Sequence, residues 1–181
     1  MTTKSFKFLT DLARFSIEYY LKNKEEPKIE PKKLPKIWTE KGACFVSLYR
    51  NERLRGCIGT VLAHQPLYLD LVKNAIGAAF HDPRFEPLKK EELEDLKIEI
   101  SVLTKPKRLE YKNPDELISF LYDKKPGVMI ESMGRRAVFI PKVWEQVRKA
   151  EDFLGALCFK AGLPGDFWRV KKLRVWIFYE K

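Results

Sequence analysis

With 181 residues, 45% of them apolar and 33% charged, and a formal net charge of +10, the chain is long enough to bury one sizeable core and too short for two independent ones. No run approaches the roughly 18 to 20 uninterrupted apolar residues of a membrane span, and Met1-Thr2-Thr3-Lys4-Ser5-Phe6-Lys7 lacks the apolar core of a signal peptide. The expectation is one cytoplasmic domain over 1–181, with no membrane partner.

Phe8, Leu9, Leu12, Ala13, Phe15, Ser16, Tyr19 and Tyr20 recur at helical spacing, which predicts an amphipathic helix over about Lys4 to Lys22, packed on a sheet. From Asn23 to Lys36 the chain is polar and lysine-rich. Pro27, Pro31 and Pro35 favour extended backbone there, so this segment reads as a surface connector. Ala43 to Arg50 and Arg53 to Val61 are β-rich runs around Asn51-Glu52, a two-residue hairpin turn. Counting outward from that turn sets Cys57 opposite Val46. Pro66 then opens a largely buried helix that runs through Phe80 and stops at Asp82-Pro83.

Ile98, Ile100 and Val102 alternate with Lys97, Glu99 and Ser101, the pattern of a half-buried strand over Leu96 to Thr104. Asn113-Pro114-Asp115-Glu116 supplies a cap, a first-turn proline and two acids for a short helix to about Tyr122. Gly127 to Glu131 and Arg136 to Ile140 flank Ser132-Met133-Gly134 as a second hairpin. Pro141 opens a helical region that reaches Ala161 and ends at Gly162, and Leu173 to Tyr179 forms a closing strand. Helices and hairpins mix without βαβ alternation, so the fold class is α+β, mostly antiparallel, with helices covering the sheet.

Leu54-Arg55-Gly56-Cys57-Ile58-Gly59-Thr60 puts a thiol, a cation and two glycines into an otherwise apolar strand. Simple alternation sets Arg55, Cys57 and Gly59 on one face and Leu54, Gly56 and Ile58 on the other. A guanidinium then lies beside the thiol, with open space for a ligand at Gly59. Cys57 is the candidate nucleophile, because Arg55, and Arg84 if it folds back, favour its thiolate. His81 is the candidate base and Asp82 a second catalytic candidate. The competing account is a small buried cysteine, with Asp82 ion-paired to Arg55 or Arg84. Arg84 beside Phe85 offers a guanidinium on an aromatic face, aimed at a carboxylate, phosphate or nucleobase. The ligand-binding candidates are therefore Arg55, Gly56, Gly59, Arg84 and Phe85. Glu99 and Ser101 share a strand face that either lines the same pocket or meets solvent.

The three cysteines form an odd set without a Cys-x-x-Cys pair, which offers neither a disulfide framework nor a zinc ribbon. Cys57, His81 and Asp82 lack metal-ligand spacing, so no metal is expected. Phosphate-binding glycine loops, dinucleotide fingerprints, ribonucleoprotein motifs and zincin helices are absent; no cofactor follows, and kinase and dehydrogenase chemistry is disfavoured. Trp144, Trp168 and Trp176 sit among apolar neighbours and read as core. Lys and Glu far outnumber the four Asn and two Gln, as on thermophile surfaces. The +10 charge favours RNA, DNA or an acidic protein as partner. The cations are dispersed along the chain, however, so a solvated thermophilic surface accounts for them equally.

The Leu54–Thr60 heptapeptide resembles the signature of the AMMECR family, named for a human chromosomal region linked to Alport syndrome, midface hypoplasia and elliptocytosis. Ala78-Ala79-Phe80-His81-Asp82-Pro83-Arg84-Phe85-Glu86-Pro87-Leu88, Glu92-Leu93, Ile98 to Leu103, Gly127 to Ile130, Val138 to Pro141 and Leu157 to Leu163 are similar to its further blocks. The resemblance covers about Gly42 to Glu180. It implies an α+β domain with a larger and a smaller lobe, an archaeal or thermophilic source, and a place beside Memo-like and radical-SAM proteins in a multi-component modification pathway acting on RNA or a small molecule. Family members vary at His81, whereas Cys57, Asp82, Arg84 and Phe85 match its motifs. Three readings stand open: a pocket around Arg55, Cys57, Asp82 and Arg84 that binds or modifies an anionic or nucleobase-containing ligand, a non-enzymatic adaptor, and a basic RNA-binding module.

Overall fold

The apolar stripe of the first helix is buried: α1 (Thr3–Asn23) holds Leu9, Ala13 and Ile17 fully out of solvent. The computed structural model describes residues 3–181 and divides the chain into two compact units, one ending at Lys105 and joined again by Lys181, the other Pro106–Glu180. The fold is α+β, and every strand pairing is antiparallel.

In the first unit the connector after α1 makes one 3-10 turn, Pro31–Lys33, before α2 (Lys36–Thr39). The two-residue strand β1 (Lys41–Gly42) leads into β2 (Cys44–Arg50), and β3 (Arg53–Gly59) returns beside it. Asn51 and Glu52 both take positive φ, 48° and 61°, the twist a two-residue hairpin needs. Short β4 (Gln65–Pro66) pairs with β1 and feeds α3 (Leu67–Ile76), and β5 (Lys97–Val102) completes a sheet of order β3-β2-β5. Cys44, Val46, Leu48 and Val102 face one side and join the core with α1 and α3.

The hairpin register departs from the simple count. Tyr49 pairs with Leu54 but Leu48 pairs with Gly56, so Arg55 is an extra residue, a β-bulge. Beyond it Cys57 lies opposite Ser47, and the expected neighbour Val46 pairs with Ile58 instead. The bulge also separates Leu54 from the face of Gly56 and Ile58, on which simple alternation had set it. Paired residues share a face, so Leu54 joins Tyr49 away from the helices and is 39% exposed. Nor is there open space at Gly59: the Phe45 ring from the opposite strand lies where a β-carbon would stand.

The second unit holds β6 (Lys107–Leu109), α4 (Pro114–Lys124), β7 (Gly127–Ser132), β8 (Arg135–Phe139), α5 (Ala150–Lys160), α6 (Phe167–Val170) and β9 (Arg174–Phe178), with sheet order β6-β9-β7-β8. Asn113 caps α4 through its side-chain oxygen, which accepts from Glu116 N–H at 2.9 Å. Met133 and Gly134 turn the second hairpin at positive φ, and Gly162, at φ 72°, stops the chain after α5. Val128, Ile130 and Val175 pack with Phe153, Leu154 and Leu157. Trp144 stacks on Phe153 at 3.9 Å and Trp168 is buried, as expected of core. Trp176 is not fully buried; it is partly exposed, with the Arg108 guanidinium over its ring.

Candidate functional site

Gly56 brings the end of α3 onto the strand. A β-carbon there would collide with the Ala78 carbonyl, so only glycine lets the two backbones meet. At that contact the helix widens into a π-helical turn, Gly77–His81, the kind of local expansion often found at functional sites. Asp82 follows in extended conformation, φ −77° and ψ 113°, as the residue before a proline should. Helix termination thereby delivers a carboxylate to the edge of β3.

Asp82 Oδ2 accepts the Cys57 N–H at 2.9 Å, and Arg84 donates to the Cys57 carbonyl at 3.1 Å. Both backbone groups of Cys57 thus point away from β2, which makes Cys57–Ser47 a non-hydrogen-bonded pair, with side chains closer than in the alternate pairs. The Ser47 hydroxyl donates to Cys57 Sγ at 3.3 Å. Across β2, Glu99 of β5 stands opposite Ser47. Cys57, Ser47 and Glu99 therefore form one row on the sheet face away from the helices, and Gly59, Phe45 and Ser101 form the next.

Arg84 grips Asp82 with two bonds, Nε to Oδ1 at 2.9 Å and an NH2 contact to Oδ2 at 2.7 Å, while its backbone N–H also donates to Oδ1. The guanidinium, with help from the Cys57 and Arg84 N–H groups, holds the Asp82 carboxyl down at about 2 against the opposing effect of burial. Arg84 in turn is pushed above the ordinary arginine range, first by its bond to Asp82. Arg84 remains 54% exposed beside a carboxylate that is almost wholly buried.

Arg55 is directed elsewhere. It forms a two-point fork on Glu92, with Nε at 2.8 Å and NH2 at 3.0 Å, and donates to the Glu86 carbonyl. That fork lowers the Glu92 carboxyl to about 2. Arg55 and Arg84 both lie near the Phe85 ring, 5.9 and 5.4 Å from its centroid. His81 turns toward α1: its ring meets the Tyr20 ring edge-on and its Nε2 hydrogen-bonds the Tyr20 hydroxyl at 3.3 Å.

The structure therefore gathers Cys57, Asp82, Arg84 and Phe85, with Arg55 also close to the Phe85 ring. It gives Gly56 to the helix contact, Gly59 to the Phe45 ring and His81 to Tyr20. Sequence reasoning missed Ser47 and the pairing role of Glu92. A serine inside the otherwise apolar Ala43–Leu48 run is the signal that marks the first; nothing local marks the second. It also missed Asp70, fully buried in α3. Asp70 accepts from Cys44 N–H, the Thr60 hydroxyl, Gln65 and Asn74, tying both ends of the hairpin to the helix. Among the described residues no cluster of three or more His, Cys, Asp or Glu side chains could hold a metal ion, and no helix is long and apolar enough to cross a membrane.

The model of the AMMECR1 family matches residues 10–181. Protein MK0488 of Methanopyrus kandleri is 37% identical over 186 residues, covering 98% of this chain and 87% of that protein. Protein PF1979 of Pyrococcus furiosus is 39% identical over 184 residues, covering 95% and 84%. Among solved structures, the crystal structure of uncharacterized protein PH0010 from Pyrococcus horikoshii superposes with a TM-score of 0.90 at 38% identity, covering 99% of this chain and 90% of that one.

Proposed function

The chain belongs to the AMMECR1 family, and from that footing we propose that its Cys57–Arg84–Phe85 surface binds a small anionic ligand without covalent catalysis. One observation carries this reading: Arg84 is fixed by Asp82 and by the Cys57 carbonyl, yet half of it stays open to solvent beside the half-buried thiol. A guanidinium already held in place loses little further freedom on binding, which favours anion recognition.

Nothing in the site adds a general base to the thiol. An adjacent base within hydrogen-bond reach is one way to activate a nucleophile, and here the partner of Cys57 Sγ is the Ser47 hydroxyl. The Asp82 carboxylate is occupied by Cys57 N–H and Arg84, and His81 is engaged with Tyr20. Cys57 is then a small side chain in the wall of the site, and an uncharged one serves as well.

Protection of the thiol tests the reading. The rate of Cys57 alkylation is measured in the native protein with phosphate, citrate and adenosine monophosphate, and again in Arg84→Gln. At least one of the three anions should slow labelling in the native protein and lose that effect in the variant. Labelling unaffected by all three, or slowed equally in both proteins, sinks the proposal.

A further inference from the structure

The hairpin end of the same sheet carries a second feature that the Arg84 site does not use. Arg50, Asn51, Arg53, Leu54, Arg55 and Glu92 line a groove of about 480 Å³. Three guanidiniums there face a single carboxylate. Glu92 is forked by Arg55 and approached by Arg50 NH1 at 3.5 Å, so it already engages both arginines. Two donors are left over: Arg50 Nε and Arg55 NH1 are buried and have no hydrogen-bond acceptor in the protein.

A buried N–H without an acceptor is costly and uncommon in folded proteins, and here two occur on neighbouring arginines of one groove. We propose that this groove is a phosphate seat, taking the terminal phosphate group of a monoester through Arg50, Arg53 and Arg55. A carboxylate is the weaker match. It is satisfied by a single planar fork, the role Glu92 already plays on Arg55, whereas the remaining donors belong to three separate side chains and suit an oxyanion with three acceptor oxygens. The charge agrees in sign, since Arg50, Arg53 and Arg55 outnumber Glu92 and Asp95, the carboxylates paired with them, and a phosphate monoester is anionic at neutral pH.

The β-bulge explains why the seat exists. In an unbulged hairpin with the same turn, Arg55 would stand opposite Leu48 and face the helices. The extra residue instead frees Arg55 to reach Glu92, beside Leu54 on the open face. Neither orphaned nitrogen is exposed, so the anion reaches them by displacing part of the groove lining. Asn51, Arg53 and Leu54 are its exposed members.

Calorimetric titration of the full chain with inorganic phosphate and with acetate tests the seat, in wild type, Arg53→Gln, Arg50→Gln and Arg84→Gln. Arg53 makes no ion pair among the described residues, so its variant keeps the fold even where Arg50→Gln, which breaks contacts to Glu92 and Asp95, is less stable. The expected result is saturable phosphate binding, at least tenfold tighter than acetate, weakened about tenfold in Arg53→Gln and at least as much in Arg50→Gln, with a phosphate-binding event that persists in Arg84→Gln. In a parallel NMR titration the Arg50 Nε–H resonance shifts with phosphate. Absence of saturable binding, equal affinity for acetate, or indifference to Arg53→Gln overturns the seat. Loss of binding in Arg84→Gln alone overturns it as well, while leaving the Arg84 site standing as the place where anions bind.

Discussion

The Asp82 carboxylate and the Cys57 backbone N–H meet at 2.9 Å across 25 residues of sequence, and that bond closes the outer edge of β3 at the residue that carries the thiol. Arg84 completes the closure from the Cys57 carbonyl, so a loop supplies both contacts that a fourth strand would otherwise make. An edge strand left with exposed N–H and C=O groups is a template for unwanted pairing.

Removing that carboxylate should be costly. Asp82→Ala leaves the Cys57 N–H and the Arg84 guanidinium without their acceptor, and a loss of about 2–3 kcal/mol is expected, read as a lowered urea midpoint at pH 7. Asp82→Asn keeps one acceptor oxygen for the Cys57 N–H and should lose about half as much. Equal and negligible effects from both substitutions would show that the clamp contributes nothing.

Stability should fall with acid in a defined window. The folded carboxyls of Asp82 and Glu92 both lie at about 2, below the roughly 4 of the unfolded chain. A depressed folded value stabilises above the unfolded pKa and is lost as pH falls through the folded one. Each group therefore contributes about 2 kcal/mol above pH 5 that disappears between about pH 4 and pH 2. Urea titrations across that range should show a steep acid limb, flattened in Asp82→Asn and again in Glu92→Gln. An unchanged limb in both variants would place the acid sensitivity elsewhere.

The two strand glycines answer to different neighbours and should respond differently. Alanine at Gly56 meets the Ala78 backbone, which cannot yield without moving the π-helical turn, whereas alanine at Gly59 meets the Phe45 ring. Gly56→Ala should cost about 3 kcal/mol or more and Gly59→Ala clearly less. Phe45→Ala should relieve the second clash and not the first, a coupling that a double-mutant cycle measures directly.

How far this site could be read in advance varies residue by residue. The hairpin turn at Asn51-Glu52 was legible from run lengths, whereas the fold-back of Arg84 toward Cys57 entered only as a condition on the thiolate argument. The bulge was not. Period-2 alternation carries no mark of one inserted residue, so Cys57 was set against Val46 and Leu54 on the wrong face. The Arg55–Glu92 fork spans 37 residues, and tertiary packing alone decides it. Glycines in the strand did signal a close approach, but composition could not say whether a ligand, a helix backbone or an aromatic ring fills the space. Departures from local rules often mark functional sites; Gly56 and Gly59 illustrate that they also mark packing.

His81 separates the family pattern from the chemistry. Its imidazole engages Tyr20 at the surface, so His81→Ala should change stability by no more than about 0.5 kcal/mol and leave the alkylation rate of Cys57 untouched. A large fall in that rate would mean the imidazole reaches the thiol after all.

The three cysteines offer the most direct reading of the site, because only their environments differ. Cys44 is fully buried, and burial together with the neighbouring Asp70 pushes its thiol far above the ordinary range; burial raises Cys158 as well. Cys57 alone is partly open. Since the thiolate is the reactive form, native alkylation followed by peptide mapping should label Cys57 and spare the other two until the protein unfolds. Cys57→Ser then asks what the thiol is for. The hydroxyl keeps the hydrogen bond with Ser47, the Asp82 and Arg84 contacts run through the backbone, and the Arg84 site is left whole. Anion affinity within about threefold of wild type is expected, together with a stability change under about 1.5 kcal/mol. Affinity lost while the fold is kept would return the sulfur to the centre of the site, since no other atom has been changed.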